Sequence, residues 1–202
     1  MREITPGVVH WTATHPRIHS EVSSYWLVPE RVVLNPMLPP EGVRAFGAEP
    51  PVAVLLTNRH HYRDAERFVE AFGASVHAPV TGLHEFTPDQ NVRGYEDGDE
   101  PAPGVRARAI GAISDDEYAL VVPRAGAVAV ADGVVRRGED APLSFVSDGL
   151  MGDDPEEVKR GLREAYRRLA DEEEFDTLLI AHGAPLVGGA REALRAFVSD
   201  QS

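Results

Sequence analysis

Polar side chains that can bind metal ions or take part in catalysis lie at the ends of three apolar stretches of this sequence. Residues 52–56 are aliphatic, and they run directly into a polar cluster at residues 58–63 that contains two adjacent histidines. The other two apolar stretches end at Asp132 and at His182. Loops at the carboxyl ends of strands in α/β sheets gather polar side chains over a rigid base. We therefore expect the three segments to converge on one pocket.

The elements that would position these side chains can be predicted from hydrophobic periodicity. Five consecutive aliphatic residues predict a strand buried on both faces, and apolar residues at helical spacing after Asp64 predict a helix that ends at Gly73. Asp153, Asp154 and Pro155 predict a second helix start. Further strands are predicted at residues 8–11, 22–28, 31–35, 74–78, 105–110, 117–122, 125–131 and 177–181, and a last helix at 190–198. The first three of these strands read as an antiparallel meander.

Composition excludes several classes of protein. With 202 residues and 43% hydrophobic content, residues 1–202 are expected to form one domain. A net charge of −13 repels phosphate backbones and argues against a nucleic-acid partner. No membrane-spanning apolar run or signal peptide is predicted, so we expect a cytoplasmic protein. The lack of cysteine rules out disulfides, thiolate ligands and a cysteine nucleophile.

The order of several short segments resembles the metallo-β-lactamase fold superfamily. Residues 55–63 resemble the Thr-His-x-His-x-Asp-His signature of that family, and Asp132 and His182 lie in segments similar to its Gly-Asp and Gly-His-Gly segments. Residues 23–27 with 32–36 resemble its opening strands, and residues 110–114 resemble its Gly-His-Thr segment. The resemblance implies an α/β fold, a four-layer αβ/βα sandwich of two mixed sheets with helices outside. It also implies descent from metal-dependent hydrolases.

The signature is only partly present. Matching Thr57 to its threonine places Asn58 at the first histidine, keeps His60 as the second, and puts Tyr62 and Arg63 at the aspartate and the third histidine. The mid-chain histidine is replaced by Ala112 or Ile113, depending on register. In this register His61 points away from the ligands.

The resemblance therefore leaves His60, Asp132 and His182 as ligands, and they would serve only if a single ion binds. In the family the carboxylate like Asp132 bridges two ions and the two histidines serve one ion each. We expect no cofactor, with one Zn, Fe or Mn ion as the alternative. Arg63 offers a different explanation, because a guanidinium could pair with Asp132 and replace the missing cation.

The functional expectation follows from this degraded metal site. We expect the protein to bind a small molecule or to hydrolyse an ester, thioester or lactone weakly, with Arg63 and Asp132 as catalytic residues. Asn58, Tyr62 and Ser114 are predicted to line the substrate pocket. The alternative is a non-catalytic binding or assembly scaffold, and a homodimer is left open. The sequence assigns no role to His10, His15 and His19.

Overall fold

The computed structural model describes residues 1–199, which contain fourteen strands and three α-helices. The strands are β1 Arg2–Thr5, β2 Val8–Thr14, β3 Glu21–Leu27, β4 Val32–Leu34, β5 Ala53–Leu55, β6 Ser75–Pro79, β7 Val92–Tyr95, β8 Arg106–Ala109, β9 Tyr118–Val122, β10 Ala127–Val130, β11 Val134–Val135, β12 Ser144–Phe145, β13 Thr177–Ile180 and β14 Leu186–Val187. The helices are α1 Ala65–Phe72, α2 Pro155–Glu172 and α3 Ala190–Ser199. Among these residues no helix is both long and apolar enough to cross a bilayer.

The strands form two large mixed sheets and one small hairpin. In the first sheet β1 to β7 lie in chain order, antiparallel from β1 to β4 and parallel from β4 to β7. The second sheet has the order β14-β13-β10-β9-β8, in which only β10 and β13 are parallel. Strand β11 follows β10 after a short turn. It pairs with β12 to form a separate two-stranded antiparallel sheet.

Alternating side chains explain why the sheets stack. In β5, Ala53 and Leu55 enter the apolar cluster shared by the two sheets, whereas Val54 packs on the other side with Phe68 of α1. The second sheet repeats this pattern, with Ala129 in the shared cluster and its neighbours in the cluster beneath α2 and α3. The layers are therefore α1, the first sheet, the second sheet, and α2 with α3.

The ends of the helices follow from local sequence. Helix α1 ends at Gly73, whose φ of 66° is in the left-handed region that glycine adopts without strain. Helix α2 begins after Asp154, whose side chain accepts a hydrogen bond from the backbone N–H of Glu157. Asp64 precedes α1 without capping it, because its Oδ2 accepts from the N–H of Leu38 at 2.8 Å.

The predicted fold class is confirmed, and the differences lie in short edge elements. The predicted meander is the β2-β3-β4 segment. The sequence did not predict β1, β7, the β11-β12 hairpin or β14, which have two to four residues each. These segments are too short to show the alternation of apolar and polar residues that predicts a strand. Their strand conformation therefore depends on pairing with the neighbouring strand.

Candidate metal centre

Three connections at one end of the sandwich bring the functional side chains together. Strand β5 leads into a short 3-10 turn at Arg59–His61. Strands β10 and β13 are parallel neighbours in register, with Val130 opposite Ile180, so Asp132 and His182 follow at equivalent positions beyond their strands. The expectation that the three segments meet at one place is therefore confirmed by the geometry.

The centre of this cluster is one carboxylate oxygen. Nε2 of His61 lies 3.1 Å from Oδ1 of Asp132, and Nε2 of His182 lies 2.9 Å from the same oxygen. The other oxygen, Oδ2, accepts a hydrogen bond of 2.8 Å from Nδ2 of Asn58. Ligand atoms of His61, Asp132 and His182 all lie within 4.8 Å of one another, which suits a single metal ion.

The cluster is open on one side. The side chain of His61 is 3% exposed, whereas those of Asp132 and His182 are 28% and 27% exposed. A molecule from solvent can therefore reach Asp132 and His182, while His61 forms the buried wall. The cluster therefore lies partly at the surface and is not a fully closed core network.

The structure reverses the expected roles of the two adjacent histidines. His60 is exposed and lies outside the cluster, and His61, which was expected to point away, is buried within it. The expectation came from matching residues 57–63 one by one to the family signature, which makes His60 the ligand. The chain instead turns as a 3-10 helix at Arg59–His61, which brings His61 back to Thr57, four residues earlier.

Each ring nitrogen of His61 has one partner. Nδ1 lies 2.9 Å from the Thr57 hydroxyl, and Nε2 lies 3.1 Å from Oδ1 of Asp132. Because an ionised carboxylate can only accept, neutral His61 donates its hydrogen from Nε2 to Asp132, and Nδ1 accepts from the Thr57 hydroxyl. Oδ1 of Asn35 accepts from the N–H of Thr57 at 2.9 Å and lies 3.1 Å from the Thr57 hydroxyl, which fixes Thr57 in this position.

The charges of the cluster follow from burial and from neighbouring groups. Burial, aided by the positive charge of Arg63, lowers the pKa of His61 to about 4, so this imidazole is neutral at pH 7. Burial alone would raise the pKa of Asp132, but its contacts with the imidazoles of His61 and His182 hold that pKa well below the usual value. Neutral His61 therefore donates Nε2–H to an ionised carboxylate at 3.1 Å, and a cation bound between them would replace that hydrogen.

Comparison with solved structures identifies the fold. The chain is similar to a metallo-β-lactamase from Erythrobacter litoralis, with 14% identity over 98% of this chain and 95% of that one, at a TM-score of 0.66. It is also similar to TTHA1623 in a di-iron-bound form, with 21% identity over 93% of this chain and 99% of that one, at 0.66. The DIM-1 metallo-β-lactamase matches with 11% identity over 99% of this chain and 96% of that one, at 0.71. The chain has the metallo-β-lactamase fold.

This result confirms at the level of structure the resemblance noted in the sequence. No protein-family model matches the sequence, and a search of curated proteins found no significant match. The metallo-β-lactamase fold is therefore established by backbone geometry, and identities of 11 to 21% in these three matches carry no more than that.

Arg63 does not form the expected direct pair with Asp132. Its Nη1 donates to the backbone carbonyls of Ser23 at 3.0 Å and Asn35 at 2.9 Å, which joins the ends of β3 and β4. Burial lowers the pKa of Arg63 to about 10, and the negative charge of Asp132 opposes that shift. Arg63 thus acts on Asp132 through its charge, without a carboxylate–guanidinium hydrogen bond.

The three residues expected to line the pocket lie in different surroundings. Asn58 is 2% exposed and binds Asp132, so it belongs to the cluster. The ring of Tyr62 packs against Phe86 with a centroid distance of 5.7 Å, within the apolar cluster beneath α1. The hydroxyl of Ser114 donates to Oδ1 of Asp116 at 2.7 Å. Neither Tyr62 nor Ser114 bonds to the groups around Asp132.

Proposed function

We propose that this protein binds one divalent metal ion at His61, Asp132 and His182, and that the loaded site hydrolyses an ester, thioester or lactone. The observation that carries the proposal is the approach of two imidazole nitrogens to one oxygen of Asp132, at 3.1 and 2.9 Å. The orientation of His61 adds to it, because the 2.9 Å contact between Nδ1 and the Thr57 hydroxyl holds the ring with Nε2 toward Asp132. Metal-bound histidines are commonly fixed in this way through their other nitrogen.

The residues fit one ion better than two. Two imidazoles and one carboxylate are a donor set that zinc, iron and manganese accept. Asn58, Tyr62 and Arg63 occupy positions at which the signature would supply further ligands. A neutral amide and a phenol are weak ligands, and a buried guanidinium repels a second cation. We therefore propose that the charge of Arg63 takes over part of the role of a second ion.

The contribution of the protein to hydrolysis can be derived from its own side chains. When bound, the ion would acidify a coordinated water and polarise a carbonyl group. Asn58 holds Oδ2 of Asp132, which keeps Oδ1 turned toward the imidazoles. The positive charge of Arg63 stabilises negative charge that develops on a substrate oxygen nearby. The exposed side of Asp132 and His182 is the path by which substrate would enter.

Metal analysis tests the proposal. The wild-type chain, purified without chelator and dialysed against zinc, iron(II) or manganese(II), is expected to retain one equivalent of one of these ions. His61→Ala and His182→Ala are expected to lose it. His84→Ala is a matched control, because the side chain of His84 is 64% exposed and lies outside the cluster. Wild-type protein that retains no ion under any of these conditions would refute the metal proposal.

Substrate turnover is tested separately. A panel containing a nitrophenyl ester, an acyl thioester and a γ-lactone should show at least one reaction that depends on the retained ion. If the metal-loaded protein turns over none of these substrates, the proposal of hydrolysis is refuted and the proposal of metal binding stands.

A non-catalytic scaffold is the second candidate function. It is favoured by the buried charge of Arg63, which offsets the charge of Asp132 without any ion. Under this alternative the cluster stabilises the end of the sandwich, and the fold serves in binding or assembly. The two candidates differ in the metal analysis, because the scaffold requires no ion and His182→Ala would change only stability.

A further inference from the structure

His182 is held from the opposite sheet by one buried serine. Ser23 lies in β3 of the first sheet, is 0% exposed and is 160 positions away from Gly183 in the sequence. Its N–H donates to the carbonyl of Ala181 at 2.9 Å, and its hydroxyl donates to the carbonyl of Gly183 at 2.8 Å. The two residues on either side of His182 are therefore both bonded to Ser23.

The other side of the same segment is fixed by close backbone contact. Gly183 has a φ of 120°, and a Cβ at this position would lie 2.0 Å from the carbonyl oxygen of Arg136. That carbonyl accepts a hydrogen bond of 2.8 Å from the N–H of Ala184. The segment around His182 thus lies between Ser23 and the backbone of Arg136, and loss of the Ser23 hydroxyl should alter the position of the imidazole.

His10 completes a relay into this segment. Nε2 of His10 lies 2.9 Å from the hydroxyl oxygen of Ser23, and its ring stacks on Tyr25 at a centroid distance of 4.9 Å. The Ser23 hydroxyl has one hydrogen and uses it toward Gly183, so His10 is the donor in this contact. The order of donation is His10 to Ser23 to the carbonyl of Gly183.

We propose that Ser23 and His10 are positioning residues for His182, and that their relay sets the distance between the imidazole of His182 and Asp132. Ser23 has no exposed surface, so a substrate cannot reach its hydroxyl and the Ser23–His10 pair is not a nucleophile with its base. The inference rests on the proposed function only where it concerns metal affinity. The positioning of His182 is a property of the metal-free chain.

Two buried serines that are neighbours in β3 give a matched test. Ser23→Ala removes the bond to Gly183. Ser24→Ala is the control, because Ser24 is also 0% exposed and also makes two hydrogen bonds, but to the carbonyl of Asn35 and the N–H of Met37. Each variant is compared with wild type by zinc competition titration and by long-range ¹H–¹⁵N spectra of the imidazoles in the metal-free protein.

Ser23→Ala should weaken zinc binding by about 10- to 100-fold, the usual effect of losing a group that orients a ligand, and should shift the His182 imidazole signals. Ser24→Ala should leave the His182 signals within error of wild type, because Ser24 contacts Asn35 and not the segment around His182. If the two variants change the His182 signals alike, the inference is wrong. If wild type binds no zinc, the proposed function fails, and the His182 signals of the metal-free variants still decide the positioning role.

The histidine end of the relay gives an independent arm should Ser23→Ala fail to fold. His10→Phe keeps an aromatic ring on Tyr25 but removes the donor, and His10→Gln keeps a donor. His10→Phe should shift the His182 signals and weaken zinc binding, and His10→Gln should restore both in part. A His10→Phe variant with unchanged His182 signals would overturn the role of His10.

Discussion

The carboxyl groups of Asp132 and Glu117 lie near the same turn, and their pKa values are shifted in opposite directions. Asp132 follows β10, and its side chain meets His61, His182 and Asn58 at an open end of the sandwich. Glu117 precedes β9, is 1% exposed, and accepts a hydrogen bond of 2.8 Å from the N–H of Gly133, the residue after Asp132. The pKa of Asp132 is held well below its usual value, whereas burial raises the pKa of Glu117 to about 7.

Both depth and polar partners differ between the two acids. The Asp132 side chain is 28% exposed, and the further contacts of buried Glu117 are long, at 3.4 Å from the Tyr166 hydroxyl and the N–H of Ile113. A Cβ on Gly133 would lie 2.6 Å from Leu162 and 2.8 Å from Glu117. Gly133 therefore lets α2 and Glu117 pack closely behind the turn, and Asp132 is the acid that a ligand from solvent can reach.

The largest effect is expected from neutralising Asp132. Asp132→Asn keeps the size of the side chain but removes the charge and replaces one carboxylate oxygen by an NH2 donor, so zinc affinity should fall by more than about 100-fold, beyond the effect of losing an orienting group. Competition titration measures this loss. Unchanged zinc affinity would show that Asp132 is not a ligand and would end the contrast with Glu117.

Neutralising Glu117 should stabilise the protein at alkaline pH. Its folded pKa of about 7 lies above the ordinary value of 4.5, so the folded chain binds more protons than the unfolded chain between these values. The free energy of unfolding therefore falls as the pH rises from 4.5 to 7, and by pH 8 the cost is about 3 kcal/mol. Urea denaturation should show Glu117→Gln to be more stable than wild type at pH 8 and equal to it at pH 4. A wild-type stability that is flat across this range would contradict the assignment.

Removing the hydroxyl that orients His61 should have a smaller effect on the same site. Thr57→Val leaves the imidazole in place but removes the hydroxyl that contacts Nδ1, so zinc affinity should fall by roughly 10-fold. The ¹⁵N shift of Nδ1 of His61 should change in the metal-free protein. If that shift is the same in Thr57→Val and in wild type, the Thr57 contact does not orient this ring.

The smallest effect is expected at His60. Because this side chain is exposed and outside the cluster, His60→Ala should leave zinc affinity within about twofold and stability within about 0.5 kcal/mol. The same measurements on His61→Ala provide the contrast within one histidine pair. Loss of zinc binding in His60→Ala would show that His60 is a ligand, as the resemblance to the family signature implied.

The sequence by itself determined the layers of this protein and two of the three residues at its centre. Uninterrupted aliphatic runs at β5, β10 and β13 require burial on both faces, and Asp132 and His182 come directly after such runs. These features are local, because strand burial and the position of a strand end depend on neighbours in the chain. They could therefore be predicted without knowledge of the packing.

Only the tertiary structure decided which adjacent histidine faces Asp132 and what holds the ligands. The choice of His61 depends on a 3-10 turn whose histidine is fixed by Thr57 and Asn35, and Asn35 follows another strand. The position of His182 depends on Ser23, 160 positions away from Gly183 and in the opposite sheet. No periodic pattern in the sequence predicts such contacts. They form because buried polar groups need hydrogen-bond partners where the two sheets meet.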